Sequence, residues 1–559
     1  MRRSAVCGIL AVFGDVDEAV RATARRAAEL IRHRGPDGDG ALFQPGRAAL
    51  FHQRLAIMDP PRGHQPMVGA SGAAVVHNGE IYNAPALRAE LQARGVVFGT
   101  SSDSEVLLHL LERHGTDFVE RLDGDFTFAA VNGDDWLVAR DPIGVKPLFY
   151  GRDRGGRLWF ASEMKALQDH CAWFGIFPPG HAYTAADGLR RYYRPGWTSG
   201  AGPYRTDGTG LRERLTAAVE KRLMSDVPLG VLLSGGLDSS ILTGLTAQLL
   251  RRTEPTNRLP TFSIGLDRDA PDLVAAREVA AHLGTDHHEV LFSPEEGIAA
   301  IGDVIYHLES HDVAEIRSAI PIFLVNRAAR AQGIKVTLCG EGSDEVFGGY
   351  LYTYLAGSAE AFQSESVSLV TNLHRNILGR VDKISMAHGI EARVPYLDPD
   401  FLDLAMTIDP GLRRPLPPGR STPGRMEKLL LRAAFARPDP LIPPAVLWRQ
   451  KEQTDDGVGY SWNDHLRDFA VRTVSDRQLA DAADRFPHDP PATKEAYLYR
   501  AVFHRYFPGD HAARCITRWL PRWQADDDPS GRSNPYHHRP VAVQRDPLVS
   551  RGCECGGTC

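Results

Sequence analysis

Ser234-Gly235-Gly236-Leu237-Asp238-Ser239-Ser240 joins an apolar strand pattern, VPLGVLL, to a helical one, ILTGLTAQLLRR. The two glycines permit a tight turn and close backbone approach. A helix start offers free N–H donors and a positive dipole end to an anion. Ser234, Ser239 and Ser240 add hydroxyl donors. Asp238 would repel a bare phosphate, but it suits Mg2+, which takes oxygen ligands and bridges to phosphates. No lysine follows the glycines, so this is not the G-x-x-x-x-G-K-[ST] loop. A second acidic loop, Gly340-Glu341-Gly342-Ser343-Asp344-Glu345, follows the strand pattern KVTLC. Ligands of doubly wound sheets sit at the carboxyl ends of the strands. The two loops are therefore expected to face one site, with Asp238 and Asp344 sharing the metal.

Near the start of the chain, Cys7 opens another strand pattern, CGILAVFG. A cysteine in a packed strand is usually a small apolar filler. Later loops argue for more. Arg54 is suited to a carboxylate and Asp103 to an ammonium, as in a bound free amino acid. Asn78 and the Gly79 N–H can stabilise an oxyanion, with Glu80 beside them.

These groups must be held by elements, and the chain supplies two kinds. Residues 7–200 read as short strands with helical patterns around 17–32 and 103–114, an α+β layered domain with antiparallel sheets. After the Gly/Pro-rich RPGWTSGAGPYRTDGTG, residues 206–525 alternate strands with helices. That implies a doubly wound parallel sheet, and beyond residue 350 the pattern is mostly helical. Residues 526–559, polar and Pro-rich, read as a disordered tail, including Cys553, Cys555 and Cys559.

A chain of 559 residues with 43% hydrophobic and 24% charged residues has material for two cores. Its net charge of −6 gives no bulk attraction to nucleic acid or anionic membranes. No apolar run reaches about 18 residues, so no membrane span is expected. Seven cysteines are too few for a disulfide scaffold, which fits a reducing cytoplasm.

Cys7-Gly8-Ile9, Arg34-Gly35-Pro36-Asp37, Arg54-Leu55-Ala56-Ile57, Asn78-Gly79-Glu80 and Asp103 resemble the class II, N-terminal nucleophile, glutamine amidotransferase domain, which implies an αββα fold. SGGLDSS resembles the PP-loop of enzymes that split ATP into AMP and pyrophosphate. Together with GEGSDEVFGGY, GIEARVPYLD and WRQKEQTDDGVGYSW they resemble the glutamine-hydrolysing asparagine synthetases over residues 7–525.

That resemblance implies Cys7 as nucleophile with its own α-amine as base, and Arg54, Asn78, Gly79, Glu80 and Asp103 around glutamine. It implies β-aspartyl-AMP formed from aspartate and ATP, then ammonia transfer. Leu233, Ser234, Gly235, Gly236, Asp238, Ser239, Ser240, Ile264, Cys339 and Gly340 would hold ATP. Asp238 and Asp344 would hold Mg2+. Glu341 and Lys451 would act on the adenylate, and Arg317 would take the aspartate carboxylate. Arg393 and Asp398 would form a buried structural ion pair. A homodimer is a candidate assembly.

Two departures stand out. MRRSAV precedes Cys7, so a free amine requires removal of that segment or translation from Val6. Glu315 stands where a neutral hydroxyl is expected near Arg317, which raises the alternative of another carboxylate acceptor.

Overall fold

The protein is described here by a computed structural model covering residues 7–200, 202–417, 424–451, 457–459, 461–523 and 536. The expected tail, with Cys553, Cys555 and Cys559, lies outside the described residues.

The N-terminal half stacks two six-stranded antiparallel sheets. One runs, in spatial order, Cys171–Ile176, Phe149–Asp153, Leu158–Ala161, Gly8–Phe13, Ala48–Arg54, Gly38–Gln44. The other runs Gly188–Arg191, His181–Thr184, Asp135–Arg140, Gly124–Asn132, Ala74–Ile81, Met67–Val68. Strand GILAVF is apolar throughout because both of its faces are buried. Ile9, Ala11 and Phe13 pack between the sheets, while Leu10 and Val12 pack outward under the helix Glu18–Glu29. That helix places Val20, Ala24, Ala27 and Ala28 on one face. Asp17 caps its start by accepting from the Val20 N–H at 2.8 Å, worth about 1 kcal/mol. The helices Ala84–Ala93 and Glu105–His114 cover the second sheet with Leu87, Leu91, Val106 and Leu110. The layers are therefore αββα. The helix Ala84–Ala93 is absent from the pattern reading, because its apolar spacing is weak beside that of its neighbours.

The second half holds a five-stranded parallel sheet in the order Asp286–Leu291, Pro260–Gly265, Leu229–Leu232, Val336–Leu338, Glu391–Arg393. Successive strands step outward from Leu229–Leu232 on one side, and then the chain crosses to Val336–Leu338 on the other. The crevice at this reversal is where such sheets bind ligands. Leu229 pairs with Val336, so the loops after Leu232 and Leu338 leave the same edge side by side. The short edge strand Glu391–Arg393 was not read from sequence; three residues are too few to show a period.

Long helices flank this sheet. In Val313–Ala331, Pro321 cannot donate to the Arg317 carbonyl one turn earlier. The Trp462 indole N–H donates to that carbonyl instead, at 2.9 Å.

Candidate active site

The first half-site forms at the start of strand Gly8–Phe13. The Cys7 Sγ lies 3.4 Å from the Leu55 amide, which donates to it. Burial pushes the thiol up to about 12; Leu55 and Arg54 oppose that, and Glu391 and Glu80 add to it. Among the described residues no histidine or acid hydrogen-bonds this sulfur, so a proton acceptor must come from elsewhere. The Cys7 carbonyl accepts from Arg34 Nε at 3.1 Å, and Arg34 also pairs with Glu163 and Asp382 at 2.9 and 2.8 Å.

Asn78 and Gly79 lie on the strand Ala74–Ile81. The buried Asn78 amide makes only a long 3.5 Å contact to Thr127, which leaves its N–H available. Gly79 has φ +123°, and a Cβ there would lie 2.0 Å from the Asp125 carbonyl oxygen, so only glycine fits. Asp103 accepts from the Ile81 N–H at 2.9 Å. Burial raises its carboxyl to about 6, despite that bond and one from Ser104. Burial, followed by Asp103, also holds Glu80 well above the usual range; Arg393, 3.2 Å away, opposes this. Arg54 donates to the carbonyls of Asp59 and Pro60 at 3.0 and 2.9 Å, and so stiffens the loop beside Cys7.

The second half-site is a cavity of about 170 Å3 at the sheet's reversal point. Leu233, Ser234, Gly236, Asp238, Ser239, Ile264, Cys339 and Gly340 line it, together with Glu341, Asp344 and Lys451. Ser240 does not; its hydroxyl donates to the Gly236 carbonyl at 2.7 Å and tightens the loop. Gly235 turns the loop at φ +72°, where a Cβ would meet the Ala276 nitrogen at 2.4 Å. Its carbonyl accepts from Arg449.

Asp238 and Asp344 converge as expected. The cation between them is Lys428, whose Nζ lies 2.5 Å from a carboxylate oxygen of each. Lys451 Nζ is 3.6 Å from Asp344. Two carboxylates able to share one cation, with the Ser343 hydroxyl donating to Asp238 at 2.8 Å, make an oxygen-rich set that fits Mg2+. Lys428 was missed because its chain context, RMEKLLLR, reads as an ordinary helix; only its backbone at φ +57° turns it inward.

Arg380 was missed too. It pairs with Glu341, which lines the cavity, at 3.0 Å and donates to Ser318 at 2.6 Å.

Arg317 does not line this cavity. It faces another cleft and is held by both oxygens of Glu495, at 2.9 and 2.6 Å. Glu315 also turns away, into a small pocket between the halves lined by Arg140, Glu309 and Lys383. Ser310 donates to it, and burial followed by Asp312 raises it to about 8. Burial thus disfavours its charged form, and it does not line the cavity between the two loops. The expected Arg393–Asp398 pair is corrected. Arg393 pairs with Glu391 and Glu80, and Asp398 with Arg222 and Lys221, because strand Glu391–Arg393 lies at the seam between the halves.

The asparagine synthase family matches residues 210–368 and 354–526, and the glutamine amidotransferase domain matches residues 6–185. A probable asparagine synthetase (glutamine-hydrolyzing) of Dictyostelium discoideum is 45% identical over 556 residues, 95% of this chain and 99% of its own. An asparagine synthetase (glutamine-hydrolyzing) of Asparagus officinalis is 45% identical, covering 94% of this chain and 92% of its own. Asparagine synthetase (glutamine-hydrolyzing) 3 of Arabidopsis thaliana is 45% identical, with 94% of each chain covered.

Proposed function

This chain belongs to the glutamine-hydrolysing asparagine synthetases, and from that membership we infer that it makes L-asparagine from L-aspartate, ATP and glutamine. Similarity at 45% identity along nearly the whole of both chains carries the reading.

In this reading the Cys7 thiol attacks the glutamine amide, and its α-amine, once free, takes the thiol proton. A thiol this hard to ionise needs such a base. Asn78 Nδ2 and the Gly79 N–H receive the oxyanion. Asp103 and Glu80 hold the glutamine ammonium, and Arg54 orders the loop beside Cys7.

Ammonia released at Cys7 meets an apolar cluster of Leu55, Ile57, Val336 and Met386, with Cys7 itself packed against it. The cluster borders the sheet that carries the nucleotide loops. There, an aspartate carboxylate attacks the α-phosphorus of ATP and pyrophosphate leaves. Ser234, Gly236 and Ser239 bind the phosphates. Lys451 and Lys428 offset their charge. Mg2+, held by Asp238 and Asp344, would add charge stabilisation for the departing pyrophosphate. Glu341 takes a proton from ammonia as it displaces AMP. We assign the acceptor carboxylate to Arg380 rather than Arg317, because Arg380 pairs with Glu341 of the cavity wall. The same reading puts the enzyme in the cytoplasm. Among the described residues no helix is long and apolar enough to cross a membrane.

The test is asparagine formation from aspartate and Mg-ATP with glutamine as sole nitrogen donor, using protein that begins at Cys7. One AMP and one pyrophosphate per asparagine are expected. No asparagine, even with ammonium added, would mean a different acceptor acid.

A further inference from the structure

Tyr350, Tyr352 and Tyr354 alternate along the chain into the short helix Leu351–Leu355. Each is met by an aromatic ring from the last part of the sequence. Trp519 lies 5.4 Å from Tyr350, Trp523 6.0 Å from Tyr352, and Tyr536 5.1 Å from Tyr354, ring centre to ring centre. Late residues thus meet the three tyrosines in chain order.

Two of these tyrosines lead to the nucleotide cavity. The Tyr350 hydroxyl donates to Glu345, the neighbour of Asp344, at 2.5 Å. The buried Tyr354 hydroxyl donates to Glu427 Oε2 at 3.0 Å and accepts from the Glu427 N–H at 3.1 Å. The other oxygen of Glu427 accepts from the Lys451 N–H at 3.0 Å and from Arg432 at 2.8 Å. Arg432 and Lys451 both line the cavity.

Tyr536 makes a second contact. Its carbonyl accepts from Gln450 Nε2 at 3.1 Å, and Gln450 lines the cavity beside Lys451. Its ring and its carbonyl therefore hold two separate segments, and both lead to Lys451. Fixing a lysine costs rotamer freedom, and contacts that order its backbone beforehand lower what a ligand must supply.

We propose that Tyr536 is a positioning residue for the ATP reaction: it latches the Gln450–Lys451 turn, so that Lys451, 3.6 Å from Asp344, faces the phosphates. The inference rests on the reading of this cavity as the ATP site.

The test is calorimetric titration of Mg-ATP into the full chain without aspartate, with asparagine formation measured alongside. Tyr536→Ala should weaken Mg-ATP about three- to tenfold, the size of a lost ring pair. Tyr536→Phe keeps the ring and should bind like the parent. Tyr536 is half-buried and belongs to none of the apolar cores, so Tyr536→Ala should fold; unaltered glutamine hydrolysis confirms it. In a Lys451→Met background, Tyr536→Ala should change affinity by less than about twofold, because the group it positions is gone. Parental affinity in Tyr536→Ala, loss of affinity in Tyr536→Phe equal to that in Tyr536→Ala, or the same loss in the Lys451→Met background would each overturn the proposal. A parent that binds Mg-ATP but makes no asparagine would overturn the assigned reaction and leave the Tyr536 comparison decisive. A parent that binds no Mg-ATP would overturn both.

Discussion

Burial pushes the Cys7 thiol up to about 12, and among the described residues no histidine or acid hydrogen-bonds its sulfur. Cys7→Ala should abolish glutamine-dependent asparagine synthesis and leave ammonia-dependent synthesis intact; loss of both would break the division of labour between the halves. Asp103 titrates near 6, above its ordinary value, and must be ionised to hold an ammonium. Its binding contribution is full above that pH and is lost as pH falls through it. The KM for glutamine should therefore rise about tenfold between pH 7 and pH 5. Asp103→Asn should raise KM at pH 7 and flatten the profile. A profile unchanged by Asp103→Asn would remove Asp103 from the binding site. Lys428→Met removes the buried cation between Asp238 and Asp344. AMP release should fall by about a hundredfold or more, with glutamine hydrolysis unchanged. An unaffected ATP reaction would make Lys428 a structural residue.

At the scale of elements, adjacent parallel strands deliver two loops to one edge, and the helix Val313–Ala331 closes the cavity with Pro321, Ile322 and Val325. That helix carries a proline because Trp462 satisfies the carbonyl it strands. Trp462→Phe should destabilise the protein by about 1–3 kcal/mol in denaturant titrations. In a Pro321→Ala background the restored N–H can serve the Arg317 carbonyl, so the same change should cost less. Equal costs in the two backgrounds would mean that the indole contributes packing alone. Strong periods made the elements around this site readable: SGGLDSS between strand and helix, and the alternation through residue 338. The three-residue strand Glu391–Arg393 and the inward turn of Lys428 carry no such period and were invisible.

For the whole molecule, the seam between the halves is ionic. Lys146 pairs with Glu391 at 3.1 Å, Arg393 bridges Glu391 and Glu80, and Arg222 bridges Asp125 and Asp398. Arg34 ties the Cys7 carbonyl to Asp382, on a helix whose Val381 and Ser385 line the nucleotide cavity. Arg222→Met would leave the buried Asp125 without its cation, while Asp398 keeps Lys221, at a cost of about 3–5 kcal/mol. Calorimetry should show a lower melting temperature and two resolved transitions where the parent shows one. A single unshifted transition would mean that the halves are coupled by other contacts.

The sequence by itself determined the two-part architecture, the Gly-rich loop between strand and helix, and the family. Each rests on local spacing: an apolar run, then glycines, then a helix period. The tertiary structure decided which charges meet. Arg317 and Glu315 sit two residues apart, yet they turn into different pockets, neither of them the cavity between the two loops. Arg393 finds Glu80 across hundreds of residues, Lys428 enters the cavity from just before the helix Leu429–Phe435, and Arg380 meets Glu341 from a helix that looks ordinary in sequence. Ion pairing depends on distances of a few ångströms between side chains far apart in the chain, and no local period encodes those.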